Sequence, residues 1–178
     1  MKSKTIRSLA FGAVVAAVYA ALTMLLAPIS YGPVQFRISE ALCVLPFFFP
    51  ASTWGLFAGC ILANLLSAYG PIDVIFGSLA TLLAAVFTAL CGRYGRGLPA
   101  KLLACFPPVL FNAVIVGAVL AYAEAPGASF LPAWGVIGLQ VGAGELAVLY
   151  LIGLPLLLLL PKTPLFRAAP VRDLARDR

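Results

Sequence analysis

The chain's 178 residues carry twelve Lys and Arg against six Asp and Glu, with 63% hydrophobic and only 10% charged residues. A mean hydropathy of +1.07 excludes a water-soluble globular domain, which has no means of hiding so much apolar surface, so the surrounding solvent is lipid. Histidine is absent and the four cysteines form no CxxC pair, which argues against a soft-metal site and leaves the thiols as small packing residues.

The apolar residues fall in blocks comparable to the about 20 residues that a membrane-spanning helix needs. Six are predicted, at roughly 6–27, 36–50, 52–67, 73–92, 101–122 and 133–160. They are apolar on all faces, unlike the alternating strands of about 10 residues in a membrane β-barrel. The expected fold is an all-α membrane protein: one six-helix bundle over 1–161, followed by a basic tail over 162–178.

In the first block, Lys2, Lys4 and Arg7 precede an apolar run, and Val18-Tyr19-Ala20 loosely resembles a cleavage site. The run continues to Ala27, beyond the about 7–15 residues of a signal-peptide core, so a retained helix is expected. Its residues Gly12, Ala16 and Ala20, and beside them Ala13, Ala17 and Ala21, form two small-residue stripes at four-residue spacing. Such stripes let another helix approach closely, either inside the bundle or on a second membrane protein. Gly55, Gly59 and Ala63 repeat the pattern in the third block.

The second block opens with "VQFRISEAL", where Arg37 and Glu40 stand three residues apart at the mouth of an apolar run. They form either an interfacial ion pair on one helix face or part of a binding site. Asn64 closes the third block and Asp73, just after Pro71-Ile72, opens the fourth. Asp73 is a candidate N-cap, and Asn64, Asn112 and Gln140 are candidate helix cross-links. In the last block Gln140 lies roughly 10 Å inward of Trp134, while Glu145 and Asn112 lie roughly 15 Å from the ends of their helices. Glu145 has no basic residue within one helical turn, and intramembrane carboxylates are by default functional.

Basic residues gather before block one, between blocks four and five (Arg93, Arg96, Lys101) and after block six (Lys162, Arg167, Arg172, Arg176, Arg178). Six spans put these clusters on one side, which the positive-inside rule makes the cytoplasm, with both termini there. Arg37 alone is on the opposite side. The positive charge thus reports topology and lipid headgroups and gives no support for a nucleic-acid partner. In this orientation Arg37, Glu40, Asn64, Asp73, Asn112, Gln140 and Glu145 share the outer half, which predicts one polar pocket open to the outside.

No GxxxxGK[ST] phosphate loop is present, and without histidine neither an HExxH zinc site nor a serine–histidine dyad exists. No metal or cofactor is expected, and the chain reads as a solute-capturing protein without an ATPase of its own.

The segments "LAPISYGPVQFRISEALCVLPFFFP", "GCILANLLSAYGPIDVIFGSLATLLAA", "PPVLFNAVIVG" and "GAGELAVLYLIGLPLLLLL" resemble the QueT family of queuosine-precursor transporters. Those proteins are substrate-binding S components of energy-coupling factor (ECF) importers. The resemblance runs from about residue 6 to 160 and implies a six-helix S-component fold in the cell membrane. It also implies a transmembrane coupling subunit and two cytoplasmic ATPases as partners, and a 7-deazaguanine ligand such as preQ1, preQ0 or queuine. In S components generally a small-residue face of helix one docks the coupling subunit, a role that Ala13, Ala17 and Ala21, or Gly12, Ala16 and Ala20, fit. The loop "PISYGPVQ" corresponds to a lid. On that premise Glu145 and Glu40 divide the guanine-like edge and the aminomethyl cation of preQ1, and Arg37 orients Glu40 or meets the ring carbonyl. Gln140, Asn64 and Asn112 are further donors for that carbonyl, and Phe36, Tyr31, Tyr69 and Trp134 are candidates for stacking on the ring. The rival readings are an ion-coupled secondary transporter with Glu145 as proton carrier, and a membrane scaffold whose polar residues only hold helices together.

Overall fold

The computed structural model describes residues 2–32, 35–125 and 127–167. Four helices are long and apolar enough to cross a bilayer: one within α1 (Lys2–Leu25), α3 (Pro71–Tyr94), α4 (Gly97–Glu124) and α5 (Phe130–Lys162), with α2 (Ser52–Asn64) shorter. Among the described residues there is no β-strand. The tail expected over 162–178 lies mostly outside the described residues; its start forms a short helical turn, Pro164–Arg167.

The second predicted span differs in kind. Residues Ile38–Phe47 form a 3-10 helix, with the Glu40 amide donating to the Arg37 carbonyl at its start and Pro46 inside it. Pro46 has no N–H to give, so an α-helical bond ending there is impossible in any case. A 3-10 helix rises about 2.0 Å per residue against 1.5 Å for an α-helix, so ten residues cover about 20 Å instead of 15 Å. The segment therefore reaches further through the bundle than an α-helix of the same ten residues. With three residues per turn its side chains align in rows. Glu40, Cys43 and Pro46 form one buried row and Ala41, Val44 and Phe47 another.

Successive segments alternate in direction. We call the end that carries Leu25, Arg37, Asn64, Pro71 and Glu124 the distal end. α1 and α2 run side by side in the same sense, and here the small residues meet. A Cβ on Gly55 would overlap the Gly12 carbonyl, and one on Gly59 would lie 2.7 Å from the Ala16 carbonyl. α4 and α5 cross equally closely, Gly117 against Gly138 and Ala113 against Gly142. Close backbone approach replaces large interlocking side chains, as expected where lipid supplies no hydrophobic drive between helices.

The 3-10 helix is the axis of the molecule, packed against α1, α2, α3 and the second half of α5. Its Ala41–Val44–Phe47 row joins Ala104, Val109, Val148 and Leu157 in one apolar cluster. Cys43, on the other row, joins Val15, Tyr19, Leu56 and Cys60. A third cluster, Ala80, Val116, Leu120 and Val141, ties α3 to α4 and α5. The outside is apolar: Leu9, Leu139 and Leu151 are each about three-quarters exposed, which suits contact with lipid.

Candidate functional site

Most of the buried polar side chains lie in the distal half of the bundle. Arg37, Glu40, Asn64, Asp73, Asn112 and Glu145 are all at most 3% exposed and come from the 3-10 segment, α2, α3, α4 and α5. Gln140 is not among them. It is exposed on α5, whose buried line runs through Gly138, Val141, Glu145 and Val148. Level along a helix carries no information about which way a side chain faces.

Arg37 is held from three sides. Its Nη2 lies 3.6 Å from Asp73 Oδ2, its Nε donates to the Ser30 carbonyl at 3.4 Å, and its guanidinium lies 5.3 Å from the centre of the Tyr31 ring. Its ion-pair partner is thus Asp73, from another helix, and not Glu40. Asp73 does not cap α3 either: Gly70 occupies the N-cap, with a backbone of φ 63° that suits glycine. Asn64 does act as a cross-link. Its Nδ2 donates to the Asp73 carbonyl at 3.0 Å, tying the end of α2 to the start of α3. Gly77 makes room for this meeting, since a Cβ there would lie 2.6 Å from Asn64 Nδ2 and 2.8 Å from Asp73 Oδ1.

Glu40 sits in a closed network. Tyr19 donates to Oε1, Thr81 donates to the same oxygen at 3.4 Å, and the Cys43 thiol donates to Oε2 at 3.0 Å. Beside it Thr23 and Ser39 share a 2.6 Å hydrogen bond. Both Glu40 oxygens are therefore engaged by the protein itself.

Glu145 is the opposite case. It is 1% exposed and its Oε2 has no hydrogen-bond partner within the chain. Eight other buried side-chain atoms make no hydrogen bond either: the donors Gln35 Nε2 and Asn112 Nδ2, the acceptors Asn64 Oδ1 and Asp73 Oδ1, the Ser30 and Ser78 hydroxyls, and Arg37 Nη2 and Asp73 Oδ2, which face each other as an ion pair at 3.6 Å. A buried polar group left unpaired costs about 1–3 kcal/mol, so native interiors hold few of them. Here they crowd into one half of one bundle, with donors and acceptors mixed.

Two helical irregularities flank this set. At Asn112–Val116 and at Leu149–Gly153 the chain widens to a π-turn, and the Gly117 amide reaches the Asn112 carbonyl five residues back. Such turns re-aim the side chains around them and recur at functional sites. Pro155 explains the second, because its ring would clash with the carbonyl four residues earlier in an ordinary α-helix.

The aromatic candidates are occupied by the protein. Tyr31 lies against Arg37 and its hydroxyl donates to the Ala63 carbonyl at 2.6 Å. Phe36 packs against the apolar cluster around Val44, and Trp134 Nε1 donates to the Val114 carbonyl at 3.0 Å. Tyr69 donates to Glu124 Oε1 at 2.8 Å; partial burial, then that bond, pushes its phenol up to about 12, so it remains a donor at neutral pH. Among the described residues no group of His, Cys, Asp and Glu is placed to hold a metal ion.

The structure also separates the two stripes of the first helix. Gly12, Ala16 and Ala20 are buried, the first two against α2, whereas Ala13, Ala17 and Ala21 are exposed. Gly12, Ala13, Ala16 and Ala17 line an open apolar groove of about 640 Å³ together with Gly55 and Ala58. A second apolar groove, about 580 Å³, lies between Phe76, Val119 and Trp134. Neither groove is lined by the buried polar set.

Sequence reasoning missed Gln35, Ser30 and Ser78. Polar residues in a loop read as solvated, and a single serine in a helix carries no depth or facing signal. The one available hint was the position of Gln35 between two apolar residues and two places before Arg37.

Residues 9–162 match the QueT transporter family. A stretch of 72 residues is 47% identical to the "Queuosine precursor transporter QueT" of Lactococcus lactis subsp. cremoris (strain MG1363). The matched part covers 39% of this chain and 42% of that protein, less than half of either. No solved structure matches the chain.

Proposed function

The chain belongs to the QueT transporter family, and from that premise we propose that this multi-pass membrane protein captures a 7-deazaguanine queuosine precursor: preQ1, preQ0 or queuine. The observation that carries the proposal is the cluster of buried, unpartnered donors and acceptors contributed by five helical segments or the loop beside them. A guanine-like ring presents both kinds of group at its edge, so one small solute can pair with several of them at once.

Glu145 accepts from the ring N1–H and exocyclic amine through a charge-assisted pair of bonds. Asn112 lies on α4 within about 3 Å of Glu145 in level, given that Ala113 faces Gly142, and donates to the ring. Asp73 replaces Glu40 as the second acid. Its two oxygens accept no hydrogen bond and only Oδ2 faces Arg37, at 3.6 Å, whereas both of Glu40's are engaged. The buried set contains the carboxyl groups of Glu40, Asp73 and Glu145 against the one guanidinium of Arg37. That imbalance favours a ligand carrying a positive charge, such as the aminomethyl group of preQ1.

The chain works as the capture subunit of an ECF importer, without ATPase activity of its own, with both termini in the cytoplasm. Arg7, Arg93, Arg96, Lys101 and Lys162 all lie toward the end opposite the distal one, where the positive-inside rule places the cytoplasm. Arg37 escapes that rule because it is buried and paired. The exposed stripe Ala13, Ala17 and Ala21 docks the coupling subunit, whose helix lies in the small-residue groove beside α2.

A thermal-shift screen of the purified protein against 7-deazaguanines and common vitamins tests the reading. A rise in melting temperature with preQ1 and none with the vitamins is expected. No rise with any 7-deazaguanine, or uptake into liposomes driven by a proton gradient alone, would overturn it.

A further inference from the structure

Gln35 concentrates two costs in one residue. It is the only non-glycine among the described residues with positive φ, at 47°, a backbone region that side chains other than Asn and Asp rarely adopt. Its side chain is also 2% exposed, with Nε2 unpaired within the chain. The backbone around it is fully used: its amide donates to the Gly32 carbonyl at 2.9 Å and its carbonyl accepts from the Arg37 amide at 2.8 Å. These two bonds set the turn that delivers Arg37 to Asp73, and glycine at this position would make the same turn without strain. The turn alone therefore gives no reason for a glutamine, still less for a buried amide with nothing to bond. Strained residues held with an unsatisfied polar group cluster at ligand sites, where binding supplies the missing partner.

We propose that Gln35 is a specificity-determining residue of the binding site, its carboxamide N–H donating to the ring carbonyl oxygen of the bound heterocycle. The assignment rests on the substrate reading above and adds to it a polarity. The two acids, Glu145 and Asp73, meet the donor groups of the ligand. Gln35 meets an acceptor from the side of the turn before the 3-10 helix. A neutral amide suits this task beside Arg37 because it adds a directional donor without a second positive charge that would repel a cationic ligand. Gln35 belongs to the loop that joins α1 to the 3-10 helix, so a ligand bonded to it also ties that loop to the bundle.

The test compares wild type, Gln35→Gly and Glu145→Gln by calorimetric titration with preQ1 and with its analogue lacking the ring carbonyl, each protein also being melted without ligand. Gln35→Gly removes the strain together with the amide, so its ligand-free melting temperature is expected to be unchanged or raised. Its affinity for preQ1 is expected to fall about 3- to 10-fold, the worth of one neutral hydrogen bond. Its affinity for the carbonyl-free analogue is expected to match that of wild type. A lowered ligand-free melting temperature would show that the side chain holds the loop and would overturn the proposal. So would unchanged preQ1 affinity, or an equal loss for both ligands. Binding that is lost in Glu145→Gln but kept in Gln35→Gly overturns this assignment alone, whereas no binding by wild type overturns it together with the substrate reading.

Discussion

Glu40 and Glu145 are both buried carboxyl residues, at 0% and 1% exposure. Around Glu40 the protein has provided a tyrosine, a threonine and a thiol, and nothing more is required. Around Glu145 one oxygen lacks any hydrogen-bond partner from the chain, and the same holds for Asn112 Nδ2, Asp73 Oδ1 and Gln35 Nε2. In the other half of the bundle, buried Ser52 and Thr88 donate to the Phe49 and Ala104 carbonyls. Burial alone therefore does not distinguish an architectural acid from a recognising one. The count of partners does.

That contrast predicts opposite behaviour for the two acids. Glu145→Gln is expected to weaken preQ1 binding well over tenfold, because a hydrogen bond to a charged group is worth about 1.5–3 kcal/mol. Its ligand-free melting curve should stay in place or move up. Unchanged affinity in a titration would remove Glu145 from the site and break the comparison. Glu40→Ala should show the reverse, a fall in stability of about 3 kcal/mol, since it orphans Tyr19 and opens a hole beside the 3-10 helix. A mild melting shift with a large affinity loss would mean that Glu40 is the reader after all. Thr81→Val, at the weaker 3.4 Å contact to Glu40, is expected to cost about 1 kcal/mol with no effect on affinity.

The two stripes on α1 form a second pair that mutation separates. Ala17→Trp, on the exposed stripe, should abolish co-purification with a coupling subunit while leaving folding and ligand binding intact. Loss of folding would place Ala17 inside the bundle. Gly55→Ala, against the buried stripe, is expected to destabilise by about 1–3 kcal/mol, because the added methyl meets backbone that cannot move aside.

Much of this was legible beforehand. Hydropathy located the four long spans, because a run of apolar residues signals a bilayer whatever its detailed geometry. It could not show that residues 38–47 wind three per turn, since over ten residues periods of 3.0 and 3.6 differ by little more than half a residue per turn. Polar residues at one depth pointed to Arg37, Asp73, Asn112 and Glu145, all of which are buried in the same half. The same logic over-read Gln140, because level along a helix is independent of facing, and it passed over Gln35, whose burial depends on how a loop folds back. The family likeness supplied the ligand class; the residues supplied only a demand for mixed donors and acceptors.

The tight winding of the central segment has an evolutionary corollary. Deleting one residue between Ile38 and Phe47 would turn everything beyond it by a third of a revolution, exchanging the acid-bearing row for the greasy one. Removing three together would restore the phase but shorten the climb by about 6 Å. Length changes in this segment are thus penalised twice, by rotation and by reach, whereas point substitutions that respect each row leave both untouched.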